Sequence, residues 1–143
     1  MRFMVMIKAN EETEAGVLPG REVLEAMGKY NEELVKAGVL LAGEGLQASS
    51  KGARVRFAGG KTTVIDGPFA EAKELIAGFW ILQVSSKEEA IEWVRRVPQP
   101  TDGTETEIEI RQVFEVEDFG ADLPPELRAA DAELRAKVAS QQQ

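Results

Sequence analysis

Three patterns in this 143-residue chain predict an α+β fold of order β-α-β-β-α-β with an inserted hairpin. Short apolar strands alternate with two amphipathic helical stretches. A Gly-Gly pair joins two further strand-like runs in the middle. A Pro-Pro step then opens a separate helical segment at the C-terminal end.

Phe3 to Ile7 reads as a buried strand, apolar on both faces: Phe3, Val5 and Ile7 on one, Met4 and Met6 on the other. Asn10 to Gly20 is polar, with Gly and Pro, and reads as a loop. Arg21 to Ala37 is an amphipathic helix with Leu24, Met27, Leu34 and Val35 near one stripe and Tyr30 between them. Gly38 suits the position just past a helix end. Val39 to Ala42 starts a second strand that enters Gly43-Glu44-Gly45-Leu46.

Ala53 to Ala58 and Lys61 to Ile65 form the hairpin, because Gly59-Gly60 supplies the positive φ that tight turns need. Ala77 to Val84 is a buried strand with Phe79 and Ile81 on one face and Trp80, Leu82 and Val84 on the other. Ser85 with Glu88, or Ser86 with Glu89, can form a capping box for a helix that runs to about Arg96 before Pro98. Gln99 to Gly103 is a loop, and Glu105 to Val116 alternates as a strand. Asp122-Leu123-Pro124-Pro125 opens the last helix, with a thin stripe of Leu127, Leu134 and Val138 before the polar Gln141-Gln142-Gln143 end.

Without the hairpin this order is the ferredoxin-like split βαβ arrangement, an antiparallel sheet with two helices on one face. Two helices leave the other face open, yet the strands at 3–7 and 77–84 are apolar on both faces. A two-fold dimer that pairs these sheets is therefore expected. Cover by the hairpin or the C-terminal helix is the alternative. The domain is expected over 1–116, and residues 117–143 form an acidic helical extension. From Glu115 onward seven acids stand against three bases.

Composition narrows the function. Net charge is −8 and the pI about 4.7, which argues against nucleic-acid binding. There is no Cys and no His, so thiol and imidazole chemistry are excluded. Proton transfer would fall to Asp, Glu, Lys or Tyr. No nucleotide-type Gly-rich loop or ligand cluster is present, so neither cofactor nor metal is expected. No apolar run reaches the roughly 20 residues of a membrane span, nor is a signal peptide visible. A cytoplasmic protein with no membrane contact is expected.

The most distinctive run is Asp66-Gly67-Pro68-Phe69-Ala70-Glu71, followed by Lys73-Glu74. Together with Gly43-Glu44-Gly45-Leu46, Gly78-Phe79, the helix Glu88-Glu89-Ala90-Ile91-Glu92-Trp93 and the strand Ile108-Glu109-Ile110-Arg111, it resembles the DGPF branch of the YCII-related proteins. These are small dimeric ferredoxin-like (α+β barrel) domains, and the resemblance covers residues 1 to 116. It implies a cleft-bearing homodimer without an assigned reaction. A His–Asp pair was proposed as catalytic in the wider group; this chain has no His, so Asp66 alone can have a counterpart. Some DGPF domains are linked to extracytoplasmic-function sigma factors, which implies a possible regulatory partner.

Asp66 is the first candidate catalytic acid. It ends a strand ahead of a turn whose Pro68 lacks an N–H, so its carboxylate could instead cap Phe69 or Ala70. Glu44 is the second candidate. Its flanking glycines allow close approach by a ligand or a neighbouring strand, or mark a bulge. Lys73, Glu71 and Arg111 are weaker ligand-binding candidates: Lys73 as an anion anchor, Glu71 in a charge cluster, and Arg111 as a carboxylate clamp or a member of a surface ladder with Glu107 and Glu109. Two functions follow: a small-molecule site using carboxylate acid–base chemistry, or an interaction module with an acidic tail.

Overall fold

The computed structural model describes residues 1–141. Gln142 and Gln143, in the polar end expected from the sequence, lie outside them. The chain divides into two compact units, Met1–Val113 and one beginning at Phe114.

The first unit is the α+β fold expected. Strands β1 (Arg2–Lys8), β2 (Leu40–Gly45), β5 (Ile76–Gln83) and β6 (Ile108–Gln112) form an antiparallel sheet of order β2-β5-β1-β6. That is the ferredoxin-like order. Strands β3 (Ala53–Ala58) and β4 (Lys61–Asp66) form a separate two-stranded sheet. Gly59 and Gly60 turn between them at φ +56 and +75, as the sequence required.

Helices α2 (Arg21–Lys36) and α3 (Lys87–Arg95) cover one sheet face. Phe3, Val5, Trp80 and Leu82 point into it and meet Tyr30 and Leu34 of α2 and Ala90 of α3. Gly38 sits past α2 at φ +73. Of the two possible caps for α3 the structure uses Ser86, whose Oγ accepts from Glu89 N–H at 3.1 Å. The Glu89 carboxylate reaches back to Ser85 N–H at 2.6 Å.

Two expectations need correction. The 10–20 stretch is not all loop: Glu11–Glu14 makes a one-turn helix, α1. Asn10 Oδ1 accepts from Thr13 N–H and Thr13 Oγ1 accepts from Asn10 N–H, both at 2.9 Å, so reciprocal capping closes the turn. The last strand is shorter than 105–116. Gln112 pairs with Phe3 and Val113 N–H bonds to Arg2 O, so the ladder of β6 ends where β1 begins. Residues 116–119 form a 3-10 turn instead. In the second unit α4 runs Pro125–Gln141.

Tyr30 is buried and its hydroxyl donates to Trp93 O at 2.8 Å. Burial, only partly offset by Arg96, pushes its phenol up to about 12 from an ordinary 10.0. The unfolded chain therefore ionises first. Stability from the neutral phenol is complete below pH 10 and is lost as pH rises through about 12. Tyr30→Phe is expected to cost about 1 kcal/mol at pH 7, where the Trp93 carbonyl loses its donor. Between pH 9 and 12 the parent should lose about 2–3 kcal/mol more than the variant. Denaturant unfolding of both proteins across that range checks the crossover; parallel pH profiles would contradict it.

Candidate functional site

The second sheet face is apolar at its centre and open. Pairing sets Glu44, Phe79, Met6 and Glu109 in one row across it, and Ala42, Ile81, Met4 and Arg111 in the next. Met4, Met6, Phe79 and Ile81 are half-buried, whereas Glu44 and Arg111 at the flanks are exposed. Arg111 lies 3.3 Å from Glu109, and Lys8 lies 3.4 Å from the same carboxylate. The Arg111 hydrogen bond first, and Lys8 next, hold the Glu109 carboxyl below its ordinary range.

Gly43 and Gly78 make close approaches, but to the protein itself. A Cβ at Gly43 would lie 2.9 Å from Trp80 Cδ1, and one at Gly78 would lie 3.0 Å from Glu44 O. Gly43 and Gly78 thus serve the packing of β2 on β5, whereas a Cβ at Gly45 would meet open space.

The Asp66-Gly67-Pro68-Phe69 turn sits at the end of this sheet where β1 and β2 finish and β5 starts. Ala9 N–H bonds to Leu75 O at 2.9 Å and Leu46 N–H to Ala77 O at 2.8 Å. The Gly67–Pro68 peptide is cis. The turn is fixed from outside itself. Gly67 N–H donates to Gly52 O at 3.0 Å. Phe69 N–H donates to Ser49 Oγ at 3.0 Å, so the cap that the Asp66 carboxylate could have placed on Phe69 comes from Ser49. The Ser49 hydroxyl donates to Glu14 Oε2, and Ser49 N–H donates to Glu14 Oε1 at 3.0 Å. Arg54 stacks over the Phe69 ring, 3.9 Å from its centroid.

Asp66 therefore stays exposed, and among the described residues its side chain has no hydrogen-bond or ion-pair partner. Glu71 precedes the short 3-10 turn Ala72–Glu74, Lys73 lies within it, and both are exposed as well. Glu44 on β2 pairs with Phe79 and Arg111 on β6 stands opposite Met4, so these two flank the open face; Asp66 ends β4 of the separate two-stranded sheet, and Glu71 and Lys73 lie in the segment that leads into β5. No charged side chain is buried among the described residues, so a single copy does not supply the burial that an acid–base role at Asp66 requires. A pocket of about 280 Å³ lies elsewhere, between the end of α3, the loop after it and β6, and none of the five candidates lines it. Glu14 and Ser49 were not legible in the sequence. Glu14 sits in a stretch read as loop, 35 residues from the serine it holds.

A family model for the YCII-related domain matches residues 1–117. The chain belongs to the YCII-related family. An uncharacterised protein of Rhizobium meliloti (strain 1021) is 34% identical over 73 residues, which is 51% of this chain and 59% of that relative. The match thus spans less than two thirds of the relative's length. This YCII-related chain carries an Asp-Gly-Pro-Phe turn and has no histidine. No helix among its described residues is long and apolar enough to cross a membrane.

Proposed function

We propose that this chain binds a small organic ligand as a homodimer, at the end of the sheet where Asp66 stands. One observation carries the reading: the turn is held rigidly by Ser49, Glu14 and Gly52, while the acid at its head is left unpaired. A carboxylate presented on a fixed strand end and not used by its own fold is available to a ligand. Sheet-on-sheet pairing would cover Met4, Met6, Phe79 and Ile81 and wall in that end, supplying the burial a carboxylate needs as acid or base. Glu44 is then the second polar group and Lys73 the anion anchor. The test is a thermal-shift screen of small carboxylates, lactones and enolisable ketones on the parent and on Asp66→Ala. Asp66→Ala is expected to hold the parent's stability within about 0.5 kcal/mol, because it breaks no internal bond, and to lose the ligand-induced shift. An equal shift in both proteins would sink the role of Asp66.

A second reading rests on the second unit. Phe114 and Phe119 stack 5.2 Å apart, both exposed, beside Glu117 and Asp118. Such an acidic aromatic patch suits a basic protein partner, for which an extracytoplasmic-function sigma factor is the model. Capture of such a factor by the parent but not by Phe119→Lys would favour it.

A further inference from the structure

We infer that the β3–β4 hairpin is an arm that docks on a second copy of this chain. The inference builds on the dimer proposed above and concerns a different surface from the open sheet face. Register places Val55 opposite Val64 and Phe57 opposite Thr62, so Val55, Phe57 and Val64 share one face of the ribbon. Those three side chains are 50%, 79% and 64% exposed. The reverse face carries Arg54, which is held against Phe69. Arg54 thus packs on the chain's own 66–69 turn, while Arg56 and Lys61 toward the ribbon tip are exposed alongside the outward apolar face. A lone two-stranded ribbon is marginal in water and needs a surface to lie on.

Charge selects the occupant. Residues 51–66 hold four bases and one acid, net +3, so of the chain's −8 the remainder carries −11. A second copy offers that acidic surface at every concentration at which the protein exists. Two arms laid on each other would set like charge against like, and an anionic lipid surface would repel the rest of the chain. Reciprocal docking of each arm on the other body is closed by one two-fold axis. Asp66 lies on the same ribbon face as Val64, so docking carries the unpaired acid to the subunit boundary.

The experiment places p-benzoylphenylalanine at position 57 of the full chain, where the native side chain is largely exposed. Unlabelled and ¹⁵N-labelled chains are mixed, irradiated and mapped by mass spectrometry. The expected products join position 57 to residues outside 51–66 of the other isotope. Their yield should fall about fivefold with Arg56→Glu and Lys61→Glu together, and should fall with added salt in the unreversed arm. Cross-links confined to one isotope, or to residues 51–66 of the other copy, overturn the arm. So does a yield indifferent to both charge reversal and salt. Sedimentation at the same concentration separates the two ideas: a dimer without these cross-links removes the arm alone, and a monomer removes the proposed dimeric site with it.

Discussion

Gly67→Ala should be among the most damaging single substitutions in the chain, costing about 3 kcal/mol or more. A Cβ at that position would stand 1.8 Å from Ser49 O, 2.6 Å from Ser49 C and 3.2 Å from Ser50 N. The obstacle is backbone, so no rotamer change relieves it. Nor can Ser49 retreat freely, because its N–H and hydroxyl are both held by the Glu14 carboxylate. The turn must lift instead, breaking Gly67 N–H to Gly52 O and Phe69 N–H to Ser49 Oγ. Two lost hydrogen bonds at about 1 kcal/mol each, added to the roughly 1–3 kcal/mol of an overpacked site, give the magnitude. Its φ is not positive, so the penalty comes from proximity rather than from backbone conformation. Denaturant unfolding at matched protein concentration measures it, since association would shift the apparent stability. A loss below about 1 kcal/mol would mean that the 49–52 segment yields and the turn is not held as described. Asp66→Ala, one residue away, is the internal contrast, with almost no loss expected.

That contrast marks where sequence reading stopped. Element order followed from the sequence because α2, α3, α4 and the strands announce themselves locally, by period, cap or glycine turn. The turn at 66–69 also announced itself, and its acid looked like a cap. What makes the acid spare is a serine 20 residues before Phe69 and a glutamate 35 residues before that serine. No local pattern links those three positions. They meet because β1, which leads into α1, and β2 finish at the same end of the sheet where β5 starts. The strand expected to Val116 failed for a related reason. Alternation measures a strand's own pattern, but its length is set by its partner β1, whose pairing with it runs from Ile7–Ile108 to Phe3–Gln112.

The second large effect is expected at Trp80, and it tests what Gly43, next to Glu44, is for. Trp80 is 5% exposed, meets Tyr30 edge-on at 5.5 Å and donates from Nε1 to Asn31 Oδ1 at 2.8 Å. Trp80→Ala should cost about 3–5 kcal/mol, from the cavity and from the unpaired Asn31 amide together. The indole also lies across Gly43, which has no room for a Cβ while the ring is there. Gly43→Ala alone is therefore expected to cost about 1–3 kcal/mol, by forcing a ring that Tyr30 and Asn31 hold in place. In the Trp80→Ala background the added methyl meets empty space, so the same change should be near neutral. The double-mutant cycle should return a coupling of about 1 kcal/mol or more. If the two losses simply add, the glycine is not there for the tryptophan, and close approach of a ligand beside Glu44 becomes the better account of it. If they couple, Gly43 is explained by packing, and the weight of the proposed site rests on Asp66, whose carboxylate the fold leaves unused.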